Sequence, residues 1–230
     1  MSDFSEIGYY ISVLLVPILS AIILHEAAHG WMANRLGDDT AKRLGRVTLN
    51  PIPHIDPLGT ILIPGMLLLA GSPFVIGFAK PVPVAFHRLN NPKRDMIWVA
   101  LAGPGSNILL GTVAAFFLHF VIGAQSDVGE WIATNLQFAL LFNAILAVFN
   151  MLPIPPLDGG RVLTGLLPKP YDYQFAQLER YGLFILLGII FLVPFLAQSM
   201  GVDFNPIASI LMPATNVIRE FLFNITGLIA

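Results

Sequence analysis

The sequence alternates between long apolar runs and short polar segments. A helix needs about 20 residues to cross a hydrocarbon core of about 30 Å. Four runs are long enough, and they are residues 7–33, 96–122, 132–152 and 178–198. A fifth run, residues 204–228, is weaker because prolines and the charged pair Arg219 and Glu220 interrupt it. This pattern predicts an all-α polytopic membrane protein with four to six transmembrane helices.

The segment between the first two long runs has a different pattern. Residues 58–70 are apolar but few, and Pro64-Gly65 interrupts them, so we expect a re-entrant segment rather than a span. The flanking chain is rich in Pro, Gly and Val, which indicates short strands or loops. Irregular backbone at membrane depth has to be buried in protein or to line a water-filled cavity. We therefore expect a re-entrant or strand-containing segment near residues 44–92, beside a hydrated pocket.

Composition agrees with a membrane environment. Of the 230 residues, 56% are hydrophobic and 11% are charged, whereas soluble domains have about 25% charged residues. Most of the surface should therefore face the lipid bilayer, and we expect one membrane-embedded domain over residues 1–230. The net charge of -2 and the lack of a long basic run argue against a nucleic-acid partner. Since the chain has no cysteine, a thiolate zinc site and a thiol nucleophile are excluded.

Basic residues indicate which connections face the cytoplasm. They follow the first run, precede the second and lie between the third and the fourth, whereas the other connections contain only acids. The three groups are Arg35, Lys42, Arg43 and Arg46; Lys80, Arg88, Lys93 and Arg94; and Arg161, Lys169 and Arg180. The positive-inside rule then places these loops in the cytoplasm and the N-terminus outside. Because residues 35 and 94 lie on the same side, residues 58–70 should enter the membrane and return.

The first run contains a motif that can bind a metal ion, His25-Glu26-Ala27-Ala28-His29. Histidines four positions apart face one side of a helix. In the H-E-x-x-H motif both imidazoles bind one zinc ion, and the glutamate reaches the water on the metal. Chance placement on an amphipathic surface helix could give the same spacing. In a membrane span that explanation is weak, because an ionisable residue there costs about 2.5–3.5 kcal/mol or more and needs an interior partner.

A catalytic zinc ion has three protein ligands and one open position. Asp158 follows the third run at its cytoplasmic end, so the charge pattern places it at the same depth as His25 and His29. A turn at this Asp-Gly pair is the structural alternative. His54 and Asp56 are rival ligands in a cytoplasmic loop, although a turn with locally bonded polar side chains explains them as well.

Together the two motifs resemble the site-2 protease family of intramembrane zinc metalloproteases, also called the M50 type. The H-E-x-x-H motif is accompanied by segment 150–159, which ends in Leu157-Asp158-Gly159. Segments 45–60, 77–84 and 102–107 also look like the compact bacterial and archaeal members, which lack a PDZ or cystathionine-β-synthase-type domain. The resemblance covers nearly the whole chain.

This resemblance implies roles for five residues. His25, His29 and Asp158 would bind Zn²⁺, Glu26 would be the general base, and Asn150 would orient the substrate or stabilise the oxyanion. The substrate would be a single-span membrane protein or a remnant signal peptide, cleaved in or near its transmembrane segment.

The role of Asn150 depends on a departure from the family pattern. The usual order is Asn-Pro-x-Asp-Gly, but Pro155 occupies the asparagine position here, and the nearest asparagine is Asn150. A helix–helix hydrogen bond is the structural alternative for Asn150, and it applies more strongly to Asn107 and Asn143.

Two other function classes fit parts of the sequence. Ionisable groups in spans also mark ion pathways, but a transporter should show acids in several spans and an inverted repeat, and neither is visible. A catalytically silent membrane scaffold would not need an intact zinc motif. Bound zinc would argue against the scaffold, and turnover would argue against the transporter.

Overall fold

Four long helical regions form the framework of the protein. The structure is a computed structural model and describes residues 2–62, 65–66 and 79–227. Four of its helical regions are long and apolar enough to cross a membrane: Gly8–Arg35, Pro92–Val121, Asp127–Asn150 and Tyr171–Ser199. Each contains one of the predicted runs almost in full, so the helical membrane architecture is confirmed.

The α-helices follow one another along the chain as α1 (Ser2–Arg35), α2 (Thr40–Arg43), α3 (Pro92–Val121), α4 (Asp127–Asn150), α5 (Asp158–Leu166), α6 (Tyr171–Ala176), α7 (Gly182–Leu187), α8 (Val193–Ser199) and α9 (Pro206–Thr226). Short 3-10 turns lie at Ile52–His54, Phe86–Arg88 and Gln177–Tyr181, and π-helical turns lie at Pro57–Leu62 and Gly188–Leu192. The fourth predicted span, residues 178–198, thus lies within a segmented helical region, Tyr171–Ser199, that is made of α6, α7, α8 and the turns between them.

Helix α3 is central, because it packs against α1, α4, α5 and α9. It runs antiparallel to α1. The Ala21 carbonyl accepts a hydrogen bond from Asn107, whereas His29, further along α1, lies beside Val99 of α3. Gly103 lies between these contacts, and small residues of this kind let membrane helices approach closely. The middle of α3 therefore faces the part of α1 that contains the H-E-x-x-H motif.

Helix α4 reverses direction again. Near its start Ala133 packs against Leu118, at the end of α3, and nearer its end Asn143 accepts a hydrogen bond from Asn107. This antiparallel arrangement agrees with the alternating directions that the charge pattern predicts for the first three spans. It also brings the end of α4 to the same end of the bundle as His29.

Helix α9 lies in the weak fifth run and packs against α3 and α4. Ala214 borders an apolar cavity together with Leu101, and further along α9 Leu222 packs against Ala115. These two contacts show that α9 runs parallel to α3. Leu222 is completely buried, so α9 belongs to the helix bundle even though it is not among the four regions apolar enough to span a membrane alone.

Loops and short helical turns form the described part of residues 44–92. Of the two forms that the sequence left open for this segment, the described residues show loops and no strand. The Arg46 guanidinium donates to the carbonyl oxygens of Lys80 at 2.6 Å and Pro81 at 3.3 Å, so it joins the two halves of the segment. Residues 63–64 and 67–78 lie outside the described part, and the re-entry of residues 58–70 stays a prediction.

The region Tyr171–Ser199 contacts the bundle mainly near its start. Arg161 of α5 forms an ion pair with Glu179, with an N–O distance of 2.7 Å. Gly182 lies directly against the backbone of Pro156. In its most apolar window only 6% of the residues are buried, so most of this surface faces away from the bundle, where lipid can cover it.

Candidate active site

Two histidines and an aspartate converge beside α1. His25 and His29 lie one helical turn apart, and their Nε2 atoms are 3.0 Å from each other. The Oδ2 atom of Asp158, the first residue of α5, is 3.2 Å from each of these nitrogens. All three side chains are buried. The structure thus brings together the three residues predicted as metal ligands, and their ligand atoms form a triangle with nearly equal sides.

Helix α3 forms the wall behind the two imidazoles. The Nδ1 atom of His29 lies 2.7 Å from the carbonyl oxygen of Val99, and that of His25 lies 2.6 Å from Oδ1 of Asn107. Gly103 lies between these contacts, and a Cβ added there would be 2.4 Å from Nε2 of His29 and 2.6 Å from Cε1 of His25. Only glycine leaves room for both rings at this position.

The hydrogen bonding of this cluster fits a metal ion. A carbonyl oxygen only accepts, so Nδ1 of His29 donates to Val99, and Nε2 of the neutral ring carries a lone pair. That lone pair faces a second imidazole nitrogen and the Asp158 carboxylate, and no described residue donates a hydrogen bond to Oδ2 of Asp158. A cation would satisfy these converging lone pairs. With metal–ligand distances of about 2.0–2.1 Å, a tetrahedral zinc site has ligand–ligand separations of roughly 3.3 Å, close to those observed.

A tight turn carries Asp158 back to α1. Helix α4 ends at Asn150, and α5 begins at Asp158. A Cβ at Gly159 would lie 2.3 Å from the carbonyl oxygen of Met151, so this glycine permits α5 to start directly against the end of α4. The positive end of the helix dipole favours a carboxylate at the first position of α5. Asp158 and Gly159, for which the sequence offered a turn as an alternative to a ligand, are the first two residues of α5, and Asp158 has the ligand geometry.

Glu26 is held by the loop that contains Val82. Its Oε2 atom accepts a 2.7 Å hydrogen bond from the backbone N–H of Val82. Pro81 and Pro83 flank Val82, and proline has no N–H. Val82 is therefore the one backbone donor among these three residues, and it fixes the direction of the glutamate.

A cavity of about 240 Å³ opens beside the cluster. The three predicted ligands line it, and so do Glu26, Asn150 and Arg161. The Asn150 amide donates to the Leu146 carbonyl of its own helix at 3.1 Å. All five predicted site residues thus line one cavity. The cavity has room for water or substrate as a fourth ligand beside the three predicted ones.

The rival ligands His54 and Asp56 have local partners. His54 is buried, with Nε2 3.1 Å from the carbonyl oxygen of Thr48. Asp56 accepts backbone hydrogen bonds from Leu58 and Gly59, at the start of the π-helical turn. Among the described residues, the one group whose ligand atoms lie within 4.8 Å of one another is His25, His29 and Asp158. The structure thus shows locally bonded side chains, the alternative to metal ligands, for His54 and Asp56.

Three contacts of the site do not follow from the sequence motifs. They involve Gly103 and Asn107 of α3 and the backbone of Val82. The helix–helix hydrogen bond expected for Asn107 is present, since it donates to Asn143 at 2.8 Å, but Asn107 also contacts His25. A signal is available in retrospect: Val99, Gly103 and Asn107 repeat every four residues, as the two histidines do, so one face of each helix can meet the other.

Comparisons with known proteins point to the same chemistry. The model of Peptidase family M50 matches residues 124–193. YwhC of Bacillus subtilis, which is named a zinc metalloprotease, is 38% identical over 185 residues, covering 79% of this chain and 80% of YwhC. MJ0611 of Methanocaldococcus jannaschii has the same designation and is 32% identical over 180 residues, with 78% of this chain and 81% of MJ0611 covered.

A third relative extends the similarity over most of the chain. Rip2 of Mycolicibacterium smegmatis, also named a zinc metalloprotease, is 27% identical over 231 residues, covering 94% of this chain and 83% of Rip2. No solved structure is significantly similar to the chain. Relatives of this identity and coverage, together with the converging ligands and the four apolar helices, show that the chain is a multi-pass membrane protein and a zinc metalloprotease that belongs to peptidase family M50.

Proposed function

We propose that the protein cleaves peptide bonds in or near the transmembrane segments of single-span membrane proteins or remnant signal peptides. The observation that carries this proposal is the position of the site. His25 and His29 lie within a helix apolar enough to span a membrane, and Asp158 reaches them from the end of another. A substrate bond has to come to this depth to be cleaved.

The geometry of the cluster supports the proposed roles of its residues. His25, His29 and Asp158 would hold the zinc ion, which, when bound, polarises the scissile carbonyl and lowers the pKa of the attacking water. Glu26 accepts a proton from that water and then donates it to the leaving amide nitrogen. Its hydrogen bond to Val82 keeps the carboxylate on the cavity wall while the substrate enters.

The chemistry of the site favours an unwound substrate. In a helix each peptide carbonyl is hydrogen-bonded within the helix and covered by side chains. We propose that the substrate enters the cavity of about 240 Å³ as an extended chain, which exposes the scissile carbonyl to the metal ligands and to Glu26. The irregular chain around Val82 and Val84 lines this space, and its backbone could pair with the substrate as an edge strand does.

We also propose that the site opens toward the cytoplasm and that the N-terminus lies outside the membrane. The support is the grouping of basic residues in the connections that flank the site. Arg161 lines the active-site cavity itself, so that a positive charge is present at the site end of the bundle.

Glu26→Gln tests the catalytic role. The amide keeps the shape of the side chain but cannot accept the proton, so we expect zinc to stay bound and cleavage of a single-span substrate to fall by at least about 10²-fold. Zinc is measured by elemental analysis of the purified protein, and cleavage by the mass of the products. A variant that still cleaves at the wild-type rate would refute the mechanism.

Asn150→Ala tests the substrate-binding role. If Asn150 donates to the developing oxyanion, kcat should fall by about 10²-fold or more while the zinc content stays the same. Asn135→Ala is a matched control, because Asn135 lies on the same helix and its amide donates to Trp131 within that helix. An unchanged kcat would leave Asn150 with only its hydrogen bond to Leu146.

A further inference from the structure

A series of buried amides leads from His25 into the helix bundle. The first contact is that of Asn107 Oδ1 with His25 Nδ1, at 2.6 Å. The Asn107 amide nitrogen donates to Asn143 Oδ1 at 2.8 Å, and the Asn143 amide nitrogen donates to the Ala139 carbonyl at 2.8 Å. Both asparagines are at most 1% exposed. The hydrogen bond between Asn107 and Asn143 is enough to join α3 to α4. It does not explain why Asn107 also contacts His25.

Two backbone carbonyls fix the direction of every hydrogen bond in this series. The Ala139 carbonyl can only accept, so Asn143 must turn its nitrogen toward it and its oxygen toward Asn107. The Ala21 carbonyl, 3.1 Å from the amide nitrogen of Asn107, imposes the same constraint there. Asn107 therefore presents its oxygen to His25, and Nδ1 of His25 has to donate. A neutral imidazole with its proton on Nδ1 has its lone pair on Nε2, the atom nearest Asp158.

We propose that Asn107, oriented by Asn143, is a positioning residue that holds His25 in the tautomer able to bind zinc through Nε2. The Val99 carbonyl accepts from Nδ1 of His29 in the same way as Asn107 accepts from Nδ1 of His25. Hydrogen-bond partners behind a metal-binding histidine typically change metal affinity by 10–100-fold. The inference rests on the proposed zinc ligands and goes beyond them, because neither asparagine is among the ligands.

Zinc affinity measured by competition with a chelator tests this role in the full-length protein in detergent. Asn107→Leu has a similar size but cannot accept a hydrogen bond, so zinc should bind about 10–100-fold more weakly. Asn107→Asp in its protonated form keeps an oxygen acceptor for Nδ1 and replaces the amide nitrogen by a hydroxyl that can donate to Asn143, so it should restore most of the affinity. Asn135→Leu on α4 removes an amide that bonds within its own helix and should leave the affinity unchanged.

A second readout separates positioning from a merely structural role. Cobalt(II) in the site reports its coordination through its visible absorption, and Asn107→Leu should change that spectrum, whereas Asn107→Asp should keep it. Wild-type affinity in Asn107→Leu would overturn the proposal, and so would an Asp variant that binds as weakly as the Leu variant. If Asn107→Leu does not fold, Asn107→Asp decides alone: affinity close to that of the wild type supports the proposal, and a loss of about 10-fold or more would overturn it.

The ligand set itself is tested by Asp158→Ala in the same assay. Zinc bound equally well by that variant would refute the proposed ligands. Loss of zinc from Asp158→Ala, together with wild-type affinity in Asn107→Leu, would overturn only the positioning role. The two failures are therefore distinguishable.

Discussion

At the scale of single residues, the space around the imidazoles decides whether the ligands can converge. Gly103 of α3 lies so close to the rings of His25 and His29 that one additional carbon would overlap both. Two positions further along, no described residue outside the backbone of the same helix lies within 4 Å of where a Cβ of Gly105 would be. Position 103 therefore requires glycine, whereas position 105 has room for a side chain. The two positions differ because only Gly103 contacts α1.

Gly103→Ala is expected to displace at least one histidine and to lower both zinc content and activity. The new Cβ would be 2.4–2.6 Å from three imidazole atoms, far inside van der Waals distance. Gly105→Ala is the matched control and should keep zinc and activity, with a small gain in helix stability of about 0.5–1 kcal/mol. Elemental analysis and an activity assay on both variants would check this, and normal zinc content in Gly103→Ala would contradict it.

At the scale of elements, the loop that carries Val82 has to be fastened to α1. Asp38, just after α1, does this with both carboxylate oxygens and is completely buried. Oδ2 accepts a 2.6 Å hydrogen bond from the Ala85 backbone, and Oδ1 accepts from the backbone and the hydroxyl of Thr40. Since Ala85 lies three residues from Val82, this anchor also determines where Glu26 finds its donor.

Asp38→Asn should destabilise the protein by about 1–3 kcal/mol at neutral pH, because charged acceptors of buried donors are lost. Burial alone would raise the pKa of Asp38, but the hydrogen bonds from Thr40 and Ala85 outweigh it and lower that pKa below its ordinary value. The contribution of the carboxylate is therefore complete above the unfolded pKa of about 3.9 and is lost as the pH falls through the folded pKa.

Thermal unfolding across pH measures this contribution. The difference in Tm between wild type and Asp38→Asn should be constant near neutral pH and should narrow below about pH 4. A difference that stays constant into acid, or that grows, would show that the ionised carboxylate does not fasten the loop.

At the scale of the whole molecule, helix directions and charge placement determine where the site faces. Contacts between α1, α3 and α4 establish alternating directions for the first three spans. They do not distinguish the two sides of the membrane. The side is a proposal from the basic connections, and the absence of native cysteine makes it straightforward to test.

Single cysteines labelled by a membrane-impermeant maleimide test the orientation. Lys42→Cys, in α2 between the first two spans, should be labelled only after the cells are opened. Ser126→Cys, the N-cap of α4 at the opposite end of the bundle, should be labelled in intact cells. The reverse pattern would invert the proposed topology, and the cysteine-free wild type is the control for background labelling.

The local sequence pattern was sufficient to predict the membrane spans and the H-E-x-x-H motif. The length of an apolar run defines a membrane helix, and two histidines four residues apart share a face in any helix, so both features depend only on neighbouring residues. Local pattern was not sufficient to choose the third ligand. Asp158, His54 and Asp56 have equally suitable side chains, and the charge pattern favoured Asp158 by depth alone.

The amino-acid sequence predicts the chemistry of the protein and the solvent around it: an H-E-x-x-H helix, an aspartate that can complete a zinc site, and a lipid bilayer. Which atoms meet depends on the packing of the helices. The close approach of α3 to α1 requires glycine at position 103 and makes Asn107 the partner of His25, whereas His54 and Asp56 form local bonds. The contacts of Gly103 and Asn107 with the histidines join residues about 75 to 80 positions apart, and Asp158 lies about 130 positions from both histidines, so no local pattern predicts that these residues meet.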